Sequence, residues 1–552
     1  MAAVRNGSPM RVLPVAGLLL AGLCWSSSEA QESQPNVDRI FAAYDHADSP
    51  GCALGVIRDG RFVYRKGYGM GSLELGVPLS PSSIFYMGSV SKQFTAASIV
   101  LAAEQGLLSL DDNVRKYIPE LPDYGHPITL REMLHHTSGL RDFLTLLEFA
   151  DRDAAGIHSE AEIIDLIARQ KGLNNVPGER YIYSNTNYFL LGVVIRRVTG
   201  KSLAEFAAAN IFQPLHMTHT RFYDDHTVVL PGRVAAYDDA GNGKFQVDWS
   251  TEYDIVGAGG LTSSVDDLLA WDRNFYDNRL GKGTLVKELE TPGVFNNGKT
   301  NSYALGLELS TYRGLPVVEH SGALYGYRTE ILRFPQQRFT VLCLCNLANA
   351  NVTGLSRRVA DVYLAGNLKT ESDAPRASGS ESFPRPDQFA GEYLDPGNHF
   401  LYTFTASGND LMAWGAALRR TGPNQFRDLG TGTITFTESS GKMRATLAMD
   451  GENFFSGDKV DPPRLDAAAI SAYAGKYASA EIDAAYTLSV RDGGLLLHVG
   501  WEPPQKLEAV APDTFESDEF GTIVFQRNEV GQISGFSLYS VNARGVAFAR
   551  IN

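Results

Sequence analysis

The chain has 552 residues, too many for one ordinary core, so two to four domains are expected. Its apolar and charged fractions, 44% and 20%, are those of a soluble globular protein. A formal net charge of -14 with no long run of like charge argues against nucleic acid and anionic membrane surfaces as partners.

The N-terminus reads as a targeting segment. Arg5 and Arg11 lead into an apolar run, Val12 to Trp25, which is shorter than the roughly 20 residues a spanning helix needs. Ser28-Glu29-Ala30 offers small residues for a peptidase, so cleavage before Gln31 is expected. Cys24 could mark a lipoprotein, but the large Leu23 stands directly before it, which favours cleavage and export. The mature protein is then periplasmic or extracellular, with no stable membrane insertion. Cys52, Cys343 and Cys345 remain after cleavage. An odd count without a dense pattern argues against a disulfide scaffold. Cys343 and Cys345 alternate along one strand and face one side, as buried small residues rather than metal ligands.

Gly51 to Gly69 reads as a hairpin turning at Arg58-Asp59-Gly60. A loop over Pro78 to Tyr86 precedes a helix from near Val90 to Gln105, stopped by Gly106. A helix-rich middle follows, with Pro177-Gly178 as a turn. Strand patterns return at Ala304 to Leu309, Leu315 to Glu319, Tyr327 to Phe334 and Phe339 to Leu344, and Val352 to Leu368 reads as a closing helix. Strands at both ends with helices between imply one sheet whose first strands pair with its last. Glu371 to Pro386 has linker composition.

Beyond the linker the pattern changes to short strands and turns, and it repeats. Phe389-Ala390-Gly391-Glu392-Tyr393 recurs as Tyr473-Ala474-Gly475-Lys476-Tyr477. Asp410-Leu411 recurs as Gly494-Leu495, and Gly432 to Phe436 as Gly521 to Phe525. Three blocks in one order imply two copies of a small antiparallel β unit that hides its edges by closing. The expected division is a signal peptide (1–30), a first domain (31–370), a linker (371–386), and β units at 387–461 and 462–552.

Three clusters carry the chemistry. In Ser89-Val90-Ser91-Lys92, a serine opening the helix has its lysine one turn on, on the same face. The hydroxyl then sits at the positive end of the helix dipole, and a desolvated lysine can take its proton. Alone, this pattern is more often an N-cap serine and a solvated lysine. Ser91 points away and has no lysine three residues on. In Tyr183-Ser184-Asn185, a phenol can move protons and an amide can bridge substrate and lysine, although a helix cap is the simpler alternative. In His320-Ser321-Gly322, ahead of Ala323, a glycine lets a substrate lie along a strand edge, where a plain strand end is the simpler alternative.

In order and context these clusters resemble the serine β-lactamase and penicillin-binding-protein superfamily, in the branch with Ser-x-x-Lys, Tyr-x-Asn and Lys/His-Thr/Ser-Gly. This branch includes class C β-lactamases, D-aminopeptidase, D-alanyl-D-alanine carboxypeptidase and the family VIII esterases. Met87-Gly88, Gln93-Phe94-Thr95, Leu134 to Leu140, and Gly257 to Ser263 through Trp271 strengthen the resemblance, which covers about residues 38–368. It implies an α+β domain, an antiparallel sheet flanked by helices with a helical insert. It implies Ser89 as the acylated nucleophile, Lys92 as its amine partner and Tyr183 as base or proton relay. Asn185, His320, Ser321, Gly322 and Ala323 would bind substrate, with the Ser89 and Ala323 amides as an oxyanion hole. His136 to Gly139 reads as loop structure near the cleft.

His320 stands where dedicated class C β-lactamases carry lysine, which moves the expectation towards D-aminopeptidases and esterases. The tandem β units also resemble the D-aminopeptidase architecture. The expected function is an exported serine hydrolase acting through an acyl-enzyme on small peptide, amide or ester substrates, without metal or organic cofactor. A β-lactamase proper, or a silent binding protein on the same fold, are the alternatives.

Overall fold

A computed structural model describes residues 35–551, apart from 155, 249–253, 370–384, 414, 428–431, 440, 450–451 and 501–502. The targeting segment and all but the last residues of the linker lie outside the described residues.

Asp59 and Gly60 both take positive φ, 52° and 70°, which a tight hairpin turn requires. They join β1 (Cys52–Arg58) to β2 (Arg61–Tyr68). The other edge of β1 pairs along its whole length with a strand almost 300 residues later in the chain. The late strands are β3 (Glu308–Tyr312), β4 (Leu315–Leu324), β5 (Tyr327–Phe334) and β6 (Phe339–Cys345), and the sheet order is β3-β4-β5-β6-β1-β2. Every neighbouring pair is antiparallel. Both faces of β1 are buried: Ala53 and Ile57 enter one core, while Cys52, Leu54 and Val56 enter the other. A strand covered on both sides reads as a continuous apolar run, and β1 and β6 do so.

One face carries α1 (Lys92–Glu104), which is buried from Lys92 through Ala102. The opposite face carries α4 (Val352–Tyr363), whose Leu355, Val359 and Ala360 pack on it. The helical insert supplies α2 (Phe143–Phe149) and α3 (Asn185–Thr199), both in the core of α1. The closing helix ends at Tyr363, short of Leu368. The strand expected at Ala304 to Leu309 instead starts at Glu308. A Cβ on Gly306 would lie 2.6 Å from backbone atoms of Lys92 and Gln93, so residues before Glu308 are a turn pressed on the start of α1.

One expectation is corrected. Cys345, expected with Cys343 as a small buried residue, instead forms a disulfide with Cys52. They face each other directly in the β1–β6 register, with Cα atoms 4.0 Å apart. Cys343 remains a buried free thiol, and its Sγ lies 3.8 Å from that of Cys345.

The repeated blocks hold equivalent places. Tyr393 and Tyr477 each donate their hydroxyl to the carbonyl four residues back, at 2.9 and 2.7 Å. The rings of Phe389 and Phe436 meet at 4.7 Å, and those of Tyr473 and Phe525 at 4.8 Å. The second unit, Gly475 to Ile551, is a closed eight-stranded barrel. The first is a nine-stranded sheet whose two edge strands, Ala416–Ala417 and Arg419–Gly422, are separated by Leu418 alone, so its edges come together. The second barrel shares one continuous apolar cluster with the insert, and Tyr486 donates to the Phe149 carbonyl at 2.6 Å.

The disulfide closes a sequence separation of 293 residues, which strongly restricts the unfolded chain. Cys345→Ala should lower the unfolding free energy by about 2–5 kcal/mol in urea titrations. Cys343→Ala, which keeps the bond, should cost less; an equal loss in both would remove the bond as the source.

Candidate active site

The site begins where two backbones touch. A Cβ on Gly322 would lie 2.1 Å from the Met87 carbonyl oxygen, and one on Gly88 (φ 51°) would lie 2.6 Å from the Ala323 nitrogen. Only glycines let the turn at Met87-Gly88 press on the end of β4. Thr329 on β5 secures the contact by donating to the Met87 carbonyl at 2.8 Å. Residues Gly88–Ser91 form one 3-10 turn that runs directly into α1. Ser91 is occupied structurally, donating to the Gly88 carbonyl at 2.5 Å and accepting from the Leu261 amide at 3.1 Å. Ser89 projects from the turn towards Lys92 and Tyr183.

Lys92 is fully buried. Its Nζ donates to Ser89 Oγ at 3.2 Å, Asn185 Oδ1 at 2.9 Å and the Ala258 carbonyl at 2.7 Å. It lies 4.7 Å over the Tyr183 ring and 5.7 Å over that of Tyr188. Burial pulls its pKa down to about 7, against a smaller opposing pull from the Asp142 carboxylate. The glycine run brings in the Ala258 carbonyl. Gly257 (φ 111°) passes so close to α3 that a Cβ would lie 2.5 Å from the Tyr188 carbonyl oxygen.

Tyr183 donates its hydroxyl to Ser89 Oγ at 2.8 Å. Burial pushes its pKa well above the ordinary phenol value, with nearby Asp142 and Glu308 acting the same way, while the Ser89 contact opposes. Its ring lies 4.3 Å from that of His136, which also meets Tyr303 at 4.7 Å and Tyr188 at 5.1 Å. His136 Nδ1 accepts from the Ser184 amide at 3.1 Å and lies 3.2 Å from Asn187 Nδ2. The loop read as structure near the cleft therefore backs the tyrosine directly. Ser184 stands at the N-cap of α3 without a capping hydrogen bond; Asn185, the first helical residue, turns its side chain to Lys92 and donates its amide to the Asp142 carboxylate.

His320 is joined to this group through Tyr303. Its Nδ1 lies 2.6 Å from the Ser321 carbonyl, which only accepts, so Nδ1 carries the proton and Nε2 accepts from the Tyr303 hydroxyl at 2.9 Å. Burial, with a smaller push from Lys92, lowers its pKa to about 4, so the imidazole is neutral. β3 pairs with β4 only as far as Glu308 opposite Glu319, so residues 320–324 form an uncovered edge. Ser321 and Ala323 are exposed there, and Gly322 is buried under the turn at Met87-Gly88. Ser89, Lys92, Tyr183 and Asn185 are thus in direct contact, and His320 is one residue removed. Sequence reading missed Tyr303, Asp142 and the Ala258 carbonyl. Asp142 carried a signal, three residues after Gly139, but one that reads as an ordinary helix cap.

The Beta-lactamase family model matches residues 37–365. The chain belongs to the beta-lactamase family. Residues 459–550 match a second model, a domain of unknown function (DUF3471), which spans the closed barrel. Among similar proteins is a D-aminopeptidase of Cereibacter sphaeroides (strain ATCC 17029 / ATH 2.4.9), 28% identical over 532 residues, 91% of this chain and 96% of that protein. A D-aminopeptidase of Brucella melitensis biotype 2 (strain ATCC 23457) is 26% identical, over 94% of this chain and all of the other. In fold, the chain is similar to an octameric penicillin-binding protein homologue from Pyrococcus abyssi, with a TM-score of 0.54 at 21% identity, covering 85% of this chain and 98% of that one. The superfamily and the α+β architecture expected from the motifs are those found, and this beta-lactamase-family protein is a serine hydrolase.

The beta-lactamase-family site depends on the glycine contact. Gly322→Ala should displace the turn bearing Ser89 and slow its labelling by a fluorophosphonate roughly a hundredfold. Unchanged labelling of a folded variant would show that the turn does not rely on this contact.

Proposed function

We propose that this protein is an exported hydrolase that acylates Ser89 and acts on small peptides or amides with a D-configured residue at the N-terminal side of the scissile bond. The observation that carries the chemistry is the set of partners around Lys92. Asn185 Oδ1 and the Ala258 carbonyl can only accept, so a neutral amine spends both protons on them. Its lone pair is then left for the third partner, Ser89, the one that has a proton to give.

In this reading Ser89 Oγ attacks the acyl carbon as its proton passes to Lys92. The carbonyl oxygen gains negative charge, which the amides of Ser89 and Ala323 stabilise. Tyr183, kept protonated by burial, serves as relay, and the leaving group takes its proton from the Lys92–Tyr183 pair. Water then attacks the ester by the reverse path and frees Ser89. Asn185 orients the substrate amide, and the open edge at residues 320–324 pairs with its backbone.

The substrate class rests on the D-aminopeptidases similar over nearly the whole chain, including both β units. His320 points the same way. A buried neutral imidazole offers no fixed positive charge for a β-lactam carboxylate, so β-lactam hydrolysis is expected to be weak. Export rests on Arg5, Arg11 and the Val12 to Trp25 run, and the Cys52–Cys345 disulfide suits an oxidising compartment.

Purified protein should hydrolyse D-amino-acid amides or short D-peptides in preference to their L-forms and to cephalosporins, and Ser89→Ala should lose the activity. A preference for cephalosporins would support the lactamase alternative. Because Lys92 must be neutral, kcat/KM should rise with pH through about 7. A profile flat from pH 5 to 9 would remove Lys92 as the base.

A further inference from the structure

One buried dipeptide, Arg141-Asp142, joins the second barrel to the nucleophile. Arg141 and Glu481 form an ion pair at 2.6 Å with side chains only 4% and 3% exposed. Arg141 also donates to Gln170 Oε1 at 2.9 Å and to the barrel's Gly545 carbonyl at 3.0 Å. Glu481, in a barrel loop, accepts in addition from the amides of Lys171 and Ala547. The next residue, Asp142, donates its amide to the carbonyl of Asn542 in the barrel at 2.9 Å. Its carboxylate caps α2 through the amides of Leu144 and Thr145, and it accepts from the amide of Asn185. Asn185 in turn holds Lys92. Thr186 closes the arrangement, donating to the Arg141 carbonyl at 2.6 Å and accepting from the Phe143 amide at 2.9 Å.

We propose that Asp142 is a positioning residue for acylation, fixing Asn185 against Lys92, and that the second barrel holds it in place. The inference rests on Ser89 being the nucleophile. Helix capping alone does not explain why a carboxylate stands here. Serine or asparagine caps as well, and the carboxylate is buried, which raises its own pKa. The groups acting on this region are few. His136, Tyr183, Tyr188 and His320 surround Lys92 but are held neutral by burial. Glu308 acts on Tyr183, and Glu148 on α2 is itself raised, by burial first and by Asp142 second. Among the described residues, Asp142 is the acid that acts on the Lys92 amine.

The test is the rate of Ser89 labelling by a fluorophosphonate as a function of pH, which needs no natural substrate. Asp142→Asn should slow labelling at least tenfold at neutral pH and move the rising limb to lower pH by about half a unit or more, because the lysine loses its proton more readily. Should that variant fail to fold, Asp142→Ser keeps a capping oxygen without the charge and should show the same shift. The double variant Arg141→Met, Glu481→Leu replaces the ion pair without stranding a charge. It should stay folded and label about tenfold more slowly with the limb unmoved, since the Asp142 charge remains. An Asp142 variant with the wild-type limb would overturn the electrostatic role, and wild-type labelling in the double variant would overturn the barrel's role. Absence of labelling in the wild type would instead defeat the reading of Ser89 as nucleophile, and this inference with it.

Discussion

The burial of one amine constrains the rest of the site. Taking an ammonium out of water is expensive unless hydrogen bonds replace the lost solvent. Among the described residues no carboxylate touches Lys92; its partners are a hydroxyl, an amide oxygen and a main-chain carbonyl. Those partners come from three parts of the chain that must converge within a few ångströms: the turn before α1, the start of α3, and the glycine run at residues 257–260. Neutral acceptors satisfy the amine without stabilising its charge as an acid would, so its proton affinity falls to the neutral range. Phenols meet the same constraint with the opposite result. Tyr183, Tyr188 and Tyr303 keep their protons because burial penalises the phenolate. One dry enclosure thus yields an amine ready to accept a proton beside a phenol that stays protonated and donates a hydrogen bond to Ser89.

The parts of this site legible in the sequence are those set by local spacing. Ser89 and Lys92 read as partners because three residues is one helical turn, and Tyr183 and Asn185 because a Pro-Gly turn and an apolar helix frame them. His320 to Ala323 read as a strand edge because of the alternation around them. Tyr303 was silent, since nothing near it in the chain signals His320, and the Ala258 carbonyl has no side-chain signature. Asp142 sits among residues that signal only a cap. Its contacts with Asn185 and with Asn542, 43 and 400 residues away, exist only in the fold.

The same division holds for the architecture. The hairpin at Asp59-Gly60 and the repeat of the β units were legible, the second because Tyr393 and Tyr477, and the ring pairs beneath them, answer one packing problem twice. The disulfide was not legible: Cys52 and Cys345 are remote, and only the β1–β6 register sets them face to face. The strand expected at Ala304 failed because Gly306 must clear the start of α1, a contact no local pattern contains.

That covalent bond has a topological consequence. Chain and disulfide together make residues 52–345 a closed ring, from which β1, the helical insert and the last strand of the sheet cannot separate. A single backbone cut anywhere in the insert would open the ring without releasing a fragment. Both β units hang outside the ring, on a tail that leaves after Cys345. Yet the loop of that tail around Asn542 comes back to rest on Asp142, 90 residues into that ring of 293. The second barrel is thus a tether's far end that has returned to its own loop, so covalent closure and non-covalent docking hold the same segment from opposite sides.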